Sequence, residues 1–317
     1  MRIMVLMGGV SSEREVSLAT GRRVVDALRE RGHDVVEADP SPDPLAVLAP
    51  AWDVDVVWLA LHGGSGEDGT IQALFDLAKI PYTGSGHLAS ALAMDKDLSK
   101  HLFRAAGVPT ADWIMLRAGD GSANSWKETT YVDRVVKTLG LPVIVKPSKQ
   151  GSTVGLSLVK ASEDLGEAIA EAFRHDDEVM LEAYIPGREL TVSMLGETVL
   201  PVGEIIPRHE IYDYECKYMA GMAVEVFPAD LPKALSEEAQ RLTVLVYHAL
   251  KLKGCARIDF RLHPDGGLFC LEANTLPGMT ATSLVPQAAS AAGITFPELC
   301  ERIALDALPL HARGGMA

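Results

Sequence analysis

Apolar and polar positions alternate along the first part of the chain in strand–loop–helix units. Ile3–Met7 is a short continuous apolar run of the kind that forms a buried strand, and it ends in the small-residue loop Gly8–Ser12. Val16, Ala19, Val24, Ala27 and Leu28 then recur on one face of a helix predicted over Glu15–Arg31, which Gly32 closes. His33–Val36 begins the next strand. The pattern repeats: Asp55–Leu61 is a second buried run, His62–Gly69 a glycine-rich loop, Thr70–Lys79 a helix, and Ile80-Pro81-Tyr82 leads into a short strand. Such units predict a parallel sheet with helices on its faces. Ligands of such sheets sit at the carboxyl ends of the strands, where both glycine-rich loops fall.

The pattern changes near residue 90 and again near residue 185. Met94–Gly107 reads as one helix and Ala118–Thr130 as an exposed loop or insertion. Leu141–Lys146 and Leu156–Val159 read as strands around the turn Pro147–Gly155, followed by a helix over Glu163–Phe173 and a strand over Val179–Tyr184. Leu190–Leu195 and Thr198–Ile205 alternate around Gly196-Glu197. This half favours antiparallel pairing.

Cys255–Thr280 carries the densest chemistry. Strands over Ala256–Leu262 and Leu268–Asn274 flank Pro264–Gly267, and a four-residue loop sets Asp259 opposite Glu272 and Arg257 opposite Asn274. Opposed residues, and residues two apart on a strand, share a face. Arg257, Asp259, Glu272 and Asn274 therefore gather on one side, with Ile258, Phe260, Leu271 and Ala273 assigned to the core. Two opposed carboxylates repel unless a cation lies between them, and Asp, Glu and Asn together suit Mg²⁺ shared with phosphates. Arg257 suits an anion. The bland alternative is a solvated polar face. Two weaker signals accompany the hairpin. Lys146 ends a strand before a Gly/Ser turn whose backbone N–H groups can cradle phosphates, although no Walker A pattern is present. Asp213–Tyr218 is a polar stretch whose Lys217 and Tyr218 suit a lid.

Bulk properties narrow the classes. The 317 residues suggest two or three packed units, and 48% hydrophobic with 23% charged residues is an ordinary globular composition. A net charge of −14 disfavours nucleic acid and anionic membranes as partners. Cys216, Cys255, Cys270 and Cys300 form no CxxC pair and no zinc spacing, as reduced thiols of a cytoplasmic protein would. The N-terminal apolar run is too short for a signal peptide, and no run spans a bilayer.

Taken in order, these segments resemble the ATP-grasp superfamily and, within it, the D-alanine–D-alanine ligase family. The matching stretches are Gly8-Gly9 through Ser17, Leu61 through Thr70, Tyr82–Gly86, Met94-Asp95-Lys96, the Lys146 loop, Tyr212–Tyr218 and Arg257–Pro286. The resemblance implies an α/β (α+β) ATP-grasp fold: an N-terminal parallel domain at 1–90, a central domain at 91–184 and a C-terminal domain at 185–317, the last two gripping ATP between largely antiparallel sheets. It implies a site as well. Asp259, Glu272 and Asn274 match ligands of two Mg²⁺ ions, with Mn²⁺ as a substitute. Lys96 and Lys146 match ATP-phosphate contacts, Lys217 the lid lysine at the γ-phosphate, and Glu182 and Glu189 adenine- and ribose-side contacts. Glu13 matches the carboxylate that holds the ammonium of the first D-alanine, with His62 nearby. Ser152 and Tyr218 match partners that tie the lid to Glu13. Arg257 and the Gly278 backbone match oxyanion stabilisers; Ser283 and Leu284 match contacts to the second D-alanine.

The implied activity is ATP-dependent synthesis of D-alanyl-D-alanine through D-alanyl phosphate, for peptidoglycan precursors, by a cytoplasmic homodimer. One departure is visible: Ala183 stands where many relatives carry lysine, which bears on base selectivity. His311–Ala317 lies outside the match. The rivals are a relative that adds D-serine or D-lactate, an ATP-grasp ligase of another carboxylate and a silent nucleotide-binding module. A dinucleotide oxidoreductase is poorer, because Gly8–Ser12 is not GxGxxG.

Overall fold

The structure is a computed structural model, and it describes residues 1–119, 129–151, 153–212, 216, 219 and 221–308. Ser152, Lys217 and Tyr218 lie outside these described residues.

Strands β1 (Arg2–Leu6), β2 (Asp34–Ala38) and β3 (Val56–Leu59) form a parallel sheet in the order β2-β1-β3. Tyr82 adds an isolated parallel bridge to Val57. The central strand is apolar at Ile3, Met4, Val5 and Leu6 because helices cover both faces, and all four are fully buried. Helix Arg14–Glu30 packs on one face through Val24, Val25 and Leu28, together with helix Phe296–Asp306 from the far end of the chain. Helix Thr70–Ala78 covers the other with Ile71 and Phe75.

Strands β4 (Trp113–Arg117), β5 (Val143–Pro147), β6 (Ser157–Val159) and β7 (Glu178–Ala183) build an antiparallel sheet in the order β4-β7-β5-β6. A third sheet contains β8 (Arg188–Leu195), β9 (Thr198–Val199), β10 (Gly203–Pro207), β11 (Ala223–Val226), β12 (Cys255–Leu262) and β13 (Leu268–Asn274). Its order is β11-β10-β8-β12-β13, with β9 hanging from β8, and every pair is antiparallel. Helix Lys233–Ala249 lies behind it, burying Leu242 and Val246 against Ile258 and Phe260.

Several expectations shift. The helix expected over Met94–Gly107 spans Lys96–Ala105, and an unexpected helix, His87–Met94, precedes it; between them Asp95 is extended and accepts a hydrogen bond from the Leu98 N–H at 3.0 Å. A short acidic cap at that position ends one helix and starts the next. The strand expected over Thr198–Ile205 divides into β9 and β10, since Leu200 and Val202 turn into the core between them. Helix Thr129–Leu139 begins inside the segment read as a loop, of which residues 120–128 lie outside the described residues.

The β12–β13 hairpin keeps the expected pairs Arg257/Asn274 and Asp259/Glu272, but its register slips by one beyond them, so that Phe260 faces Cys270 and Leu262 faces Leu268. Leu271 is the extra residue of a β-bulge. The connecting loop is consequently His263–Gly267, and Cys270 rather than Leu271 enters the core.

Candidate active site

The carboxyl ends of the parallel strands, the β5–β6 turn and the open face of the third sheet surround two adjoining cavities. Lys96, Tyr212, Arg257 and Glu272 line both.

The first cavity lies between the two antiparallel sheets. Ile144, Val154, Leu156, Ala183 and Leu271 are apolar parts of its lining, and charged groups share that lining. Among these is a buried charge cluster. Glu182, only 3% exposed, accepts a hydrogen bond from Lys146 Nζ at 2.6 Å on one carboxylate oxygen and another from Lys100 Nζ on the other. Burial pushes the Glu182 carboxyl up, but the two ammonium groups outweigh it and hold the group at about 2. Lys100 is fully buried and also donates to Thr110 Oγ1 at 2.6 Å. Sequence reasoning assigned no role to Lys100. A lysine four residues into the Lys96–Ala105 helix carries no signal of its own until the fold sets it under β7.

Glu189 and Arg261 also line this cavity, paired at 3.2 Å. Arg261 is a second residue the sequence reading left aside, although its spacing from Arg257 and Asp259 puts it on the same strand face.

The hairpin quartet assembles as the alternation requires. Arg257 grips Asp259 with Nε at 2.9 Å and Nη2 at 2.8 Å. Thr191 Oγ1 donates to Asp259 Oδ1 at 2.7 Å, and Asn274 Nδ2 donates to Oδ2 at 3.0 Å. Burial alone would lower the Arg257 pKa; the adjacent carboxylate more than reverses this, so the guanidinium stays charged. Glu272, opposite, lies 3.7 Å from Lys96 Nζ. Lys96 also donates to the Gln150 carbonyl at 2.8 Å, which ties the start of its helix to the β5–β6 turn. Among the described residues, no three His, Cys, Asp or Glu side chains gather into a metal cluster. The candidate set is two carboxylates plus one amide, hard oxygen donors of the kind Mg²⁺ takes when phosphates complete its shell. Asn274 turns its NH₂ to Asp259, so its amide oxygen is the atom it offers a cation.

The second cavity, of about 500 Å³, is bounded by Glu13, His62, Gly278, Ser283 and Leu284. Glu13 stands at the start of helix Arg14–Glu30, a place where the helix dipole favours negative charge. Its carboxylate presses on Gly63, where a Cβ would lie 2.6 Å from Oε2, and reaches Gly151, where the same distance would be 3.5 Å. His62 is buried; its Nε2 shares a hydrogen bond with Thr20 Oγ1 at 3.1 Å, and Nδ1 lies 3.5 Å from Glu67. Ser283 immediately precedes helix Leu284–Ala291, and its Oγ accepts a hydrogen bond from the Thr280 N–H at 2.9 Å. That Oγ would stand 2.8 Å from a Cβ at 278, so Gly278 brings bare backbone to the cavity wall.

The structure thus brings together Glu13, His62, Lys96, Lys146, Glu182, Glu189, Arg257, Asp259, Glu272, Asn274, Gly278, Ser283 and Leu284 around the two cavities. Tyr212 stands at their junction, with burial as the main influence raising its phenol pKa.

Comparison with known proteins places this geometry in a family. A family model of the D-ala D-ala ligase C-terminus matches residues 102–304, and one of the D-ala D-ala ligase N-terminus matches residues 41–85. The chain is 45% identical over 307 residues to the D-alanine–D-alanine ligase of Geobacter sulfurreducens, covering 96% of this chain and 94% of that protein. It is 46% identical over 307 residues to that of Pelobacter propionicus, covering 96% of each. The crystal structure of the Bacillus anthracis D-alanine–D-alanine ligase superposes with a TM-score of 0.85 at 37% identity, covering 100% of both chains. A D-Ala:D-Ser ligase from Enterococcus faecalis superposes with a TM-score of 0.81 at 28% identity, covering 95% of this chain and 98% of that one.

Proposed function

The chain belongs to the D-alanine–D-alanine ligase family, and from that premise we propose that it makes D-alanyl-D-alanine from two D-alanines, converting ATP to ADP and phosphate. The observation that carries this reading is the junction of the two cavities. An apolar slot with lysines at its end opens, past Arg257 and Glu272, into a polar chamber closed by Glu13. Nucleotide and amino acids fit that division, with the γ-phosphate at the shared wall.

In this mechanism Glu13 holds the ammonium of the first D-alanine beside His62. The carboxylate of that D-alanine attacks the γ-phosphorus of ATP, and ADP leaves. Lys96 and Lys146 stabilise charge on the phosphates, so the step is mostly positioning and electrostatics. Asp259, Glu272 and Asn274 would hold two Mg²⁺, or Mn²⁺ in substitution, which supply further neutralisation of the phosphate oxygens. The amine of the second D-alanine, whose carboxylate meets Ser283 and Leu284, then attacks the carbonyl of D-alanyl phosphate. Arg257, through Nη1, and the Gly278 N–H stabilise the oxyanion. The amine loses a proton, the carbonyl re-forms and phosphate departs. Lys217 at the γ-phosphate, and Ser152 with Tyr218 tying a lid to Glu13, complete the reading and keep water from the acyl phosphate.

The family also supports a role in peptidoglycan precursor synthesis, a cytoplasmic homodimer, and division of the chain at 1–90, 91–184 and 185–317. Among the described residues, no helix is long and apolar enough to cross a membrane. D-Serine as second substrate is the alternative, raised by the likeness to the Enterococcus faecalis ligase at 28% identity, below that to the D-alanine–D-alanine ligases.

The test is ADP release by the purified protein with ATP, Mg²⁺ and single amino acids. Release with D-alanine alone, and D-alanyl-D-alanine as product, is expected. Release only with D-alanine plus D-serine would move the assignment to the alternative, and no release with any D-amino acid would refute both.

A further inference from the structure

We propose that Arg261 is a positioning residue: it fixes the crossover between the two nucleotide-gripping sheets and aims the Glu189 carboxylate into the first cavity. The inference rests on the reading of Glu189 as the group that meets the ribose. Strand β7 ends at Ala183 and β8 begins at Arg188, so Tyr184–Gly187 is the single passage from the four-stranded sheet to the six-stranded one. Arg261 holds this passage from the neighbouring strand. Its Nε donates to the Ile185 carbonyl at 3.0 Å, Nη2 to the Tyr184 hydroxyl at 3.2 Å, and Nη1 to Glu189 Oε2 at 3.2 Å.

Arg261 and Glu189 are directly opposed in the β8–β12 ladder, which puts both side chains on one face. Arg261 is 7% exposed, and it borders the cavity together with all three of its partners. Two further features hold the passage. The Arg261 guanidinium carbon lies 5.5 Å from the Tyr184 ring centroid. Gly187 has φ +117° and packs so closely on β12 that a Cβ there would stand 2.1 Å from the Leu262 carbonyl oxygen. A planar fork with three directed donors matches two acceptors inside the passage and a third on β8; a lysine has one point of charge and does not. Without Arg261, Glu189 would keep its place on β8 but lose the Nη1 hydrogen bond that helps hold its carboxylate beside the slot.

The experiment is steady-state kinetics of the full-length protein with ATP, 2′-deoxy-ATP and 3′-deoxy-ATP, comparing wild type, Arg261→Met, Arg261→Lys, Glu189→Gln and the double variant Arg261→Met/Glu189→Gln. Arg261→Met is expected to raise KM for ATP about tenfold, the scale of one lost charge-assisted hydrogen bond, with kcat and KM for D-alanine within about twofold. The preference for ATP over the deoxy analogues should fall toward that of Glu189→Gln. Arg261→Lys should not restore it, and the double variant should be no worse than Glu189→Gln alone. A residue that merely stabilises the fold would lower the melting temperature and leave the ribose preference intact, which would overturn the proposal. If Glu189→Gln itself keeps full ribose preference, the ribose reading falls and this inference with it. If Glu189→Gln loses the preference and Arg261→Met keeps it, only the role of Arg261 is refuted.

Discussion

Replacing Lys100 by methionine isolates the buried charge cluster beneath the first cavity. The substitution keeps the unbranched shape and removes the charge from a side chain with no solvent exposure. Three things change together. Glu182 loses the partner of one carboxylate oxygen, Thr110 loses a donor, and Lys146 is left as the only ammonium on Glu182 among the described residues. Breaking a buried ion pair by deleting one partner costs about 3–5 kcal/mol, because a charge is left uncompensated. Burial lowers the Lys100 ammonium pKa against the pull of Glu182, and Lys146 still answers Glu182, so the low end applies, about 3 kcal/mol. For a chain of 317 residues that lowers the melting temperature by about 4–5 °C. Thermal unfolding followed by circular dichroism measures it. A double-mutant cycle with Glu182→Gln separates the pair from packing, with a coupling of at least about 1 kcal/mol expected. Melting within about 2 °C of wild type would refute the claim that Lys100 is ionised and stabilising.

Further predictions concern pH and the two cavities. The Glu182 carboxyl lies below its ordinary value, so its contribution of about 3 kcal/mol is fully present above about pH 4.5 and fades as pH falls toward about 2. Glu182→Gln should therefore show a shallower loss of urea midpoint across that acid range than wild type; equal slopes would argue against it. Gly63→Ala places a methyl 2.6 Å from Glu13 Oε2 at a backbone φ of +68°, and should raise KM for the first D-alanine at least tenfold while sparing KM for ATP. Asp259→Asn should lower kcat at least a hundredfold and weaken the Mg²⁺ dependence of ADP release; near-normal turnover would remove Asp259 from the metal reading. Glu13→Gln should raise KM for D-alanine at least tenfold while sparing KM for ATP, because the carboxylate lines the second cavity and not the first.

The parallel sheet and the hairpin quartet were legible because each rests on a strict local period. Ile3–Leu6 is apolar at every position, and Arg257/Asn274 and Asp259/Glu272 pair as alternation demands. The period fails where one residue is added: the bulge at Leu271 moves Cys270 into the core, and nothing in the composition of Phe269-Cys270-Leu271 announces it. Asp95 was hidden for a different reason, since an extended residue between two helices looks like an acidic residue within one. Helices Lys233–Ala249 and Phe296–Asp306 carry apolar faces that were open to reading. Their docking partners lie far off in the chain, as when Cys300 and Ile303 pack with Ile3 and Val5. Lys100 and Arg261 belong to the same class: their meaning depends on partners 82 and 72 residues away.

The wall shared by the two cavities has a consequence for ligand design. Among the described residues, Lys96, Tyr212, Arg257 and Glu272 line both the cavity proposed for the nucleotide and the one proposed for the amino acids. One molecule carrying an adenosine-like head and a D-alanine-like tail would cross that partition in a few bonds. Once the head is seated, the tail is confined near its own chamber at an effective concentration set by the tether. An unstrained tether matched to the span lets the whole exceed either end's affinity by about 10²–10⁴-fold with no new contact. The same arithmetic penalises a tether that fails to turn past Tyr212: its two ends would compete rather than cooperate, and the gain would vanish.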